Sequence, residues 1–171
     1  MQAQAQGGPL VDWLVQRLER EHQVQVQQVQ SAGASKRQFD PASRLLQLSP
    51  ALAPAQQAFQ LATQLALLEI GAQLDSLIRV PALAGDPAAQ RLARLGLANY
   101  FAGALLLPYG PFLQAAQALR YDIDLLGQRF AVGFETVCHQ LSTLQRPGNP
   151  GVPFFFVRVD RAGNISKRQS A

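Results

Sequence analysis

The feature that most constrains the fold is one long helical pattern from about Pro54 to Ile78. Its apolar residues fall on most sides of the helix rather than along one stripe. A helix that is apolar nearly all round has to be covered by other elements on most of its sides. The pattern therefore predicts a central, buried helix with other elements packed around it. It also predicts that Gly71 marks the close packing of a neighbour rather than the end of the helix.

Shorter helices are marked by apolar periodicity and by proline near their ends. They are predicted at Pro9–Glu21, Pro87–Leu107, Pro111–Leu119, Asp122–Phe130 and Phe134–Leu144. Pro108 closes the helix before it, because proline has no N–H to continue the backbone ladder.

Strand signals occur in two parts of the chain, and each is bounded by turn residues. They are predicted at Gln23–Val29, Lys36–Phe39, Arg44–Leu48, Val152–Val159 and Ile165–Arg168. The Asp40-Pro41 turn joins two of them into a hairpin. Together the elements predict an α+β fold, with a small antiparallel sheet or hairpins packed on a buried helical bundle.

The composition suits one globular domain, since 48% of the 171 residues are hydrophobic. We expect a disordered tail at residues 1–8, where no apolar period exists, and a single domain at 9–171. Charged residues make up only 15% of the chain, which is low for a free-standing domain. We therefore expect this chain to be a fragment of a longer protein.

The composition also bears on location and partners. The longest apolar runs are far shorter than the ~20 residues that span a bilayer, and no secretory signal opens the chain. Cys138 is the only cysteine, so there is no internal disulfide framework. We expect a cytoplasmic protein that does not bind membranes. The net charge of +4 and the pI near 9.8 fit a polyanionic partner or a merely basic surface, and charge alone leaves both open.

The helix around Thr63 keeps the spacing of a metalloprotease motif without its ligands. Such a site needs two histidines one turn apart and a glutamate between them. The corresponding positions hold Thr63, Gln64 and Leu67, and the two histidines, His22 and His139, lie on other elements. Taken alone, the pattern favours an ordinary core helix, with no metal site and no catalytic residue. The alternative is a former metal site lined by apolar side chains, which would suit a small ligand.

The segment from Asp122 to Leu144 is similar to a helix-turn-helix. A recognition helix carries basic and amide side chains at its exposed start. This one begins with Phe134, Glu135 and Thr136, and a carboxylate opposes phosphate binding. Two packed core helices are therefore favoured over direct reading of DNA.

The two predicted hairpins carry most of the clustered positive charge. Arginine forks bind phosphate in a bidentate manner, and lysine acts as a point charge. One interpretation is a cradle for a phosphorylated ligand; the other is a strand edge protected by charge. The run Phe154–Phe156 lacks interleaved basic residues and is expected in the core rather than as a base-stacking platform. Cys138 is expected to be a buried structural thiol.

Two segments carry a family resemblance. The run Ala98-Asn99-Tyr100-Phe101-Ala102-Gly103-Ala104-Leu105-Leu106-Leu107-Pro108 resembles the A-N-x-F-A-x-x-L-L-x-P helix of ImmA/IrrE-type zinc peptidases, which follows their H-E-x-x-H helix. In that family the third metal ligand would fall near Leu95, which is apolar here. The segment Gly151–Ala171 resembles the short-chain fatty-acyl transcriptional regulators of bacteria, which include propionate and glyoxylate regulators.

The resemblance implies an ImmA/IrrE-like middle domain without metal or peptidase activity. Such domains bind short-chain acyl-CoA and so sense fatty-acid catabolism. DNA binding would reside in an N-terminal region outside this chain. An iron–sulfur cluster, where one exists, would reside in a C-terminal region outside it, so the chain itself would carry no cofactor. The implied function is effector binding in a bacterial regulator of fatty-acid or propionate metabolism.

The same resemblance implies a binding site with two parts. The acyl chain would lie beside Thr63, Leu67, Asn99, Tyr100 and Tyr109. The phosphates would meet Arg158, Arg161, Lys167 and Arg168, together with Lys36 and Arg37.

Two alternative functions remain open from the sequence. One is a module for dimerisation or DNA binding that takes no small ligand, and the chain could form a homo-oligomer in either case. The other is a peptidase with an unusual metal set, against which the missing ligands count heavily.

Overall fold

The structure, a computed structural model, describes residues 8–29 and 35–170, with side chains as far as Arg168. The predicted disordered tail at 1–8 therefore lies outside the described residues, apart from Gly8. The chain divides into two compact units, which we call the N-terminal unit (to Leu106) and the C-terminal unit (from Leu107). The single domain predicted for residues 9–171 stays a prediction.

The N-terminal unit contains four α-helices and a short 3-10 turn. They are α1 (Pro9–His22), α2 (Pro54–Glu69), α3 (Gly71–Leu77), the 3-10 turn (Pro81–Leu83) and α4 (Pro87–Leu106). Helix α2 packs against α1 and α4. Its residues from Leu61 to Ala66 are all buried, so the prediction of a central helix is confirmed.

One helix was predicted from Pro54 to Ile78, and this prediction is wrong in that the helix breaks at Ile70. The backbone of Ile70 has φ −117° and ψ 23°, outside the helical range. A Cβ atom on Gly71 would lie 3.1 Å from Nη2 of Arg94 on α4. Gly71 therefore marks a close neighbour, as predicted, and it also begins a new helix.

The sheet of the N-terminal unit has three strands, β1 (Gln25–Gln28), β2 (Arg37–Asp40) and β3 (Leu45–Leu48), in the order β1-β3-β2. Strands β2 and β3 form the predicted antiparallel hairpin, with Phe39 opposite Leu46. Strand β1 pairs with β3 in parallel, with Val26 opposite Leu46. The sheet is thus mixed, because β3 lies between the other two strands and antiparallel to β2 only. Leu46 and Leu48 face the core.

The C-terminal unit contains α5 (Tyr109–Ala118), α6 (Ile123–Phe130), α7 (Phe134–Leu141) and the hairpin β4 (Phe155–Val159) and β5 (Ile165–Ser170). The side chain of Asp122 caps α6 by accepting a hydrogen bond of 2.9 Å from the Leu125 amide. The core of the C-terminal unit is built from Phe112, Leu113, Leu126, Val137, Leu141 and Leu144. The two short helices predicted between Asp122 and Leu144 are confirmed.

The expectation that Phe154–Phe156 is core is wrong for the middle residue. Phe155 is 79% exposed, whereas Phe154 and Phe156 are half-buried. Side chains alternate between the two faces of a strand, and Phe156 packs against His139 of α7. The fold class itself, a mixed α+β arrangement of helices and small sheets, is confirmed. No helix among the described residues is both long and apolar enough to cross a membrane.

Candidate functional site

Thr63 on α2 meets Asn99 on α4, so the structure joins two residues that the sequence singled out separately. The Thr63 hydroxyl donates a 2.8 Å hydrogen bond to the Phe59 carbonyl and lies 3.2 Å from Oδ1 of Asn99. A hydroxyl has one proton. Turning the Asn99 amide by 180° would bring its nitrogen to Thr63 as a donor, and both bonds would then be satisfied. Thr63 is only 1% exposed, so this contact is sealed between the two helices.

Leu67, one turn after Thr63, is part of an apolar cluster between α2, α3 and α4. Its neighbours in this cluster are Ala66, Ile70, Leu74, Leu97, Ala98 and Phe101. Small alanines on facing helices let the backbones approach closely. At the positions where a zinc peptidase has its ligands, this unit therefore has a hydroxyl, a buried amide (Gln64) and a packed leucine. This set does not fit a zinc ion.

Tyr100 and Lys36, also predicted for the binding site, lie on the surface. Tyr100 is 72% exposed, although its neighbour Asn99 faces α2. Adjacent helical residues point about 100° apart, which explains this difference.

Arg37 on β2 reaches the middle of α2. Its Nη1 donates to the Gln60 carbonyl at 3.4 Å, and burial lowers the pKa of its guanidinium. Within the described residues no carboxylate forms an ion pair with it. Gln60 precedes Thr63 by about one turn of α2. Arg37 is therefore a half-buried cation that contacts α2 one turn before Thr63.

In the C-terminal unit, the Tyr109 hydroxyl forms hydrogen bonds with the loop that precedes β4. Its hydroxyl donates to the Asn149 carbonyl and accepts from the Arg146 amide, both at 2.9 Å. The guanidinium of Arg146 lies 4.2 Å above the ring. Tyr109 therefore fixes the loop that precedes β4, which is a structural role.

The cations predicted to bind phosphate occupy both faces of the β4–β5 hairpin. Arg158 lies opposite Lys167, so these two share a face, while Arg168 lies opposite Val157 on the other. Arg158 pairs with Glu135 on α7 at 3.1 Å and donates to Ser166 at 2.9 Å. Lys167 is half-buried, and Arg161 and Arg168 are exposed. One of the four cations is therefore already neutralised by a carboxylate.

His139 on α7 lies beneath the Arg158–Lys167 face. Its ring centroid is 6.2 Å from that of Phe156. Burial lowers the pKa of His139, and the charge of Lys167 lowers it further. A neutral imidazole next to a lysine leaves this face positively charged through Lys167.

A cavity of about 470 Å³ opens in the C-terminal unit. Its lining residues come from the end of α5 to the start of β4: Arg120, Tyr121, Ile123, Cys138, Leu141, Val152, Phe154, Phe155 and Phe156. Most of these side chains are aliphatic or aromatic. Cavities of about 300–1,000 Å³ with apolar walls and few polar groups are typical small-molecule sites.

Two residues of the cavity wall have an unusual backbone. Arg120 and Tyr121 adopt φ of 52° and 61°, in the left-handed region that non-glycine residues rarely use. The Tyr121 ring packs on Phe154 at 5.5 Å, and its hydroxyl accepts from the Val152 amide at 3.4 Å. Such conformations persist where surrounding contacts hold them, and they are frequent at ligand-binding sites.

Sequence reasoning missed this cavity. Phe154–Phe156 and Leu141 were expected in the core, and Cys138 was expected to be an inert thiol. Burial does raise the pKa of Cys138, as expected for a half-buried thiol. A residue that lines an apolar cavity and one that fills a core have the same sequence signature, so the pattern alone could not separate them.

Comparison with known proteins agrees with the fold. Residues 19–142 match the family described as the IrrE N-terminal-like domain, and residues 143–171 match the C-terminal part of the short-chain fatty acyl coenzyme A regulators. Within the described residues, no three His, Cys, Asp or Glu side chains come together as metal ligands would.

Several curated relatives are regulators. The chain is 58% identical over 137 residues to the HTH-type transcriptional regulator PrpR of Mycobacterium tuberculosis, covering 80% of this chain and 28% of that protein. It is 46% identical to the regulator RamB of the same species, covering 96% and 35%. It is 53% identical to the propionyl-CoA carboxylase regulator of Cereibacter sphaeroides, covering 74% and 27%. The chain thus spans about a third of the length of these relatives.

A solved structure described as a Mycobacterium tuberculosis transcriptional regulator superposes with a TM-score of 0.87 at 49% identity, covering 96% of this chain and 50% of that one. The degenerate ligand positions on α2, the α2–α4 pairing and the basic hairpin all lie within the matched residues. From its sequence and its structure, the chain belongs to the IrrE N-terminal-like family, and its residues 143–171 match the C-terminal part of the short-chain fatty acyl coenzyme A regulators.

Proposed function

We propose that this chain is the effector-binding part of a bacterial transcriptional regulator of fatty-acid or propionate metabolism, and that its effector is an acyl-CoA. The observation that carries the proposal is found in the C-terminal unit. There, the residues that match the fatty acyl coenzyme A regulators form a hairpin with an apolar cavity at its base and cations along its length.

The two parts of this site match the two parts of an acyl-CoA. The acyl group is apolar and suits the cavity wall formed by Phe154 and Phe156. The phosphates of CoA are anionic, and Lys167, which lies opposite Arg158, carries a charge that no carboxylate of the described residues pairs with. Since Phe156 and Arg158 are two residues apart on one strand, their side chains share a face.

Isothermal titration calorimetry with propionyl-CoA and desulfo-CoA tests the proposal. We expect binding of both, and we expect Lys167→Gln to weaken both by about three- to tenfold, because one phosphate contact is lost. Arg129→Gln is the matched control, since Arg129 is an exposed arginine of the same unit outside the hairpin. Absence of heat with either compound at millimolar concentration would refute the proposal.

The placement of the acyl chain beside Thr63, Leu67, Asn99 and Tyr100 stays a second proposal for the same function. It requires the α2–α4 contact to open, because Thr63 is 1% exposed. Arg37 supports this placement, since a half-buried cation without a carboxylate is suited to an anionic group. Arg37→Gln separates the two placements: a larger loss of affinity in Arg37→Gln than in Lys167→Gln would favour the N-terminal unit.

We also propose that the chain binds ligands without hydrolysing peptides. Thr63, Gln64 and Leu67 provide no metal ligand of the kinds that zinc enzymes use. Metal analysis of protein purified without chelators tests this, and stoichiometric zinc would overturn it.

A cytoplasmic location and DNA binding by the whole regulator would follow from this role. The competing role, a module for dimerisation or DNA binding without a ligand, rests on the basic composition of the chain. It predicts salt-sensitive binding of duplex DNA by this chain in gel-shift experiments, whereas the effector role predicts no binding of DNA by this chain alone.

A further inference from the structure

An ion pair joins the β4–β5 hairpin to the start of α7. The guanidinium of Arg158 donates through Nη1 to Oε1 of Glu135 at 3.1 Å, and through Nε to the Ser166 hydroxyl at 2.9 Å. Two of its three nitrogens are therefore bound to protein oxygens. The side chains of Arg158 and Glu135 are 52% and 50% exposed, so an anion from the solvent reaches this pair without a change of the fold.

Lys167 lies beside this ion pair on the same face of the hairpin. It is the cross-strand partner of Arg158, and it is half-buried. His139 of α7 responds to both charges: burial and then Lys167 lower its pKa, and Glu135 acts in the opposite direction. Among the described residues, Glu135 is the carboxylate that pairs with a cation of this hairpin. One negative and two positive charges therefore share a small area of the surface.

A carboxylate in this position opposes the binding of phosphate. A guanidinium has a single positive charge, and Glu135 already balances it. A phosphate that approaches Arg158 and Lys167 also meets the repulsion of the Glu135 carboxylate, which salt screens little at contact distance, because the Debye length is about 8 Å at physiological ionic strength. Removal of the negative charge of Glu135 should therefore strengthen the binding of an anion to this face.

We propose that Glu135 competes with the phosphate groups of the ligand for Arg158, and that it thereby sets the affinity of the hairpin for anions. This proposal rests on the proposed function in that it takes the anion to be the phosphate part of a CoA compound. The alternative is an ion pair that only fastens the hairpin to α7. It predicts the opposite result, because loss of Glu135 would then loosen Arg158 and leave the affinity unchanged or lower.

The affinity of Glu135→Gln for desulfo-CoA, measured by calorimetry, tests the proposal. We expect this variant to bind about two- to fivefold more tightly than the native chain, a modest gain because exposed ion pairs are weak. Asp124→Asn is the matched control. Asp124 also lies in the first turn of an eight-residue helix, is exposed, and forms no ion pair within the described part of the chain. Equal affinities in the two variants, or weaker binding by Glu135→Gln, would overturn the proposal.

A double variant shows whether Glu135 acts through Arg158. In an Arg158→Gln background, the gain from Glu135→Gln should largely disappear, because the two side chains no longer form a pair that an anion has to break. A gain of the same size in both backgrounds would overturn competition for Arg158.

Inorganic pyrophosphate separates this proposal from the proposed function. Its binding is followed through the NMR signal of the His139 imidazole, whose pKa responds to Lys167. If no CoA compound binds to any variant, but Glu135→Gln binds pyrophosphate more tightly than Asp124→Asn does, the proposed function is refuted and the competition stands for a simpler anion. If Glu135→Gln binds neither desulfo-CoA nor pyrophosphate more tightly than Asp124→Asn does, the competition is refuted, whether or not CoA compounds bind.

Discussion

The α2–α4 contact of the N-terminal unit and the cavity of the C-terminal unit contain similar kinds of side chains but pack them differently. Both contain mainly apolar groups and a few polar ones. At the α2–α4 contact, Thr63 and Asn99 satisfy each other and alanines close the space. In the C-terminal unit, Tyr121, Phe154 and Phe156 line an open depression of about 470 Å³, and Phe155 of the same lining is 79% exposed. Small residues on facing helices close a space, whereas bulky residues on a loop and a strand leave one open.

The two regions also differ in which known proteins they are similar to. Thr63 and Gln64, at positions that correspond to a catalytic motif, are buried, so a ligand reaches them only if the helices move apart. The cavity lies in the unit that contains residues 143–171, which match the fatty acyl coenzyme A regulators.

The largest expected effect compares two buried leucines. Leu61 on α2 is 0% exposed and is packed on all sides, whereas Leu141 is 3% exposed and lines the cavity. Leu61→Ala should destabilise its unit by about 2–5 kcal/mol, and Leu141→Ala by less, because a side chain beside a void has fewer contacts to lose. Urea unfolding followed by Trp13 fluorescence reports the N-terminal unit, and hydrogen exchange of α7 reports the C-terminal unit. Equal losses would contradict the comparison. Leu92→Ala is the surface control, since Leu92 is 71% exposed.

Removing one hydroxyl from each unit should have a smaller effect. Thr63→Val would leave the half-buried Asn99 amide without its partner on α2, at a cost of about 1–3 kcal/mol. Thr143→Val is the matched control, because the Thr143 hydroxyl bonds only the Gln140 carbonyl of its own turn at 2.8 Å. Its loss should cost less than about 1 kcal/mol. Chemical denaturation measures both, and a smaller loss in Thr63→Val than in Thr143→Val would show that the helix contact is not tightly sealed.

Acid should weaken an ion-pair cluster at the end of α2. Burial acts to raise the pKa of Glu69, but hydrogen bonds from Arg17 and His22 outweigh it and leave the pKa lowered. A carboxyl with a lowered folded-state pKa stabilises the fold above its unfolded pKa, and this stabilisation is lost as the pH falls through the folded value. Glu69→Gln should therefore show a smaller loss of stability than the native chain between neutral pH and about pH 4. The same slope in both would refute the role of the cluster.

The smallest expected effect is a proton linkage at the hairpin. Burial and then Lys167 lower the pKa of His139, so its neutral form is favoured in the folded chain. As the pH falls below about 6.5, the unfolded chain takes up this proton first, and the C-terminal unit loses stability. An anion bound at Lys167 should raise the pKa of His139. NMR titration of the imidazole measures this; the chain has two histidines, and a His22→Asn variant assigns the signals. No change with propionyl-CoA would place the phosphates away from Lys167.

Much of the secondary structure could be predicted because local patterns determine it. The all-round apolar character of Pro54–Ile78 identified the central helix, periodicity marked the two short helices between Asp122 and Leu144, and Asp40-Pro41 marked the hairpin. The break at Ile70 was not predicted, because the apolar pattern continues through Ile70 without a proline or a capping residue. The parallel pairing of β1 with β3 was not predicted either, since alternation of side chains is the same for both strand directions.

The candidate site also has features that the sequence predicts and features that only the tertiary structure decides. The amino-acid sequence by itself established that α2 lacks zinc ligands, that Cys138 has no cysteine partner and that the final hairpin is basic, because these are properties of residue type and spacing. The tertiary structure decided that Thr63 and Asn99 bond each other, that Phe155 is exposed and that Cys138 faces a cavity. These depend on which side chains meet across elements distant in sequence, and packing volume is not encoded at any single position.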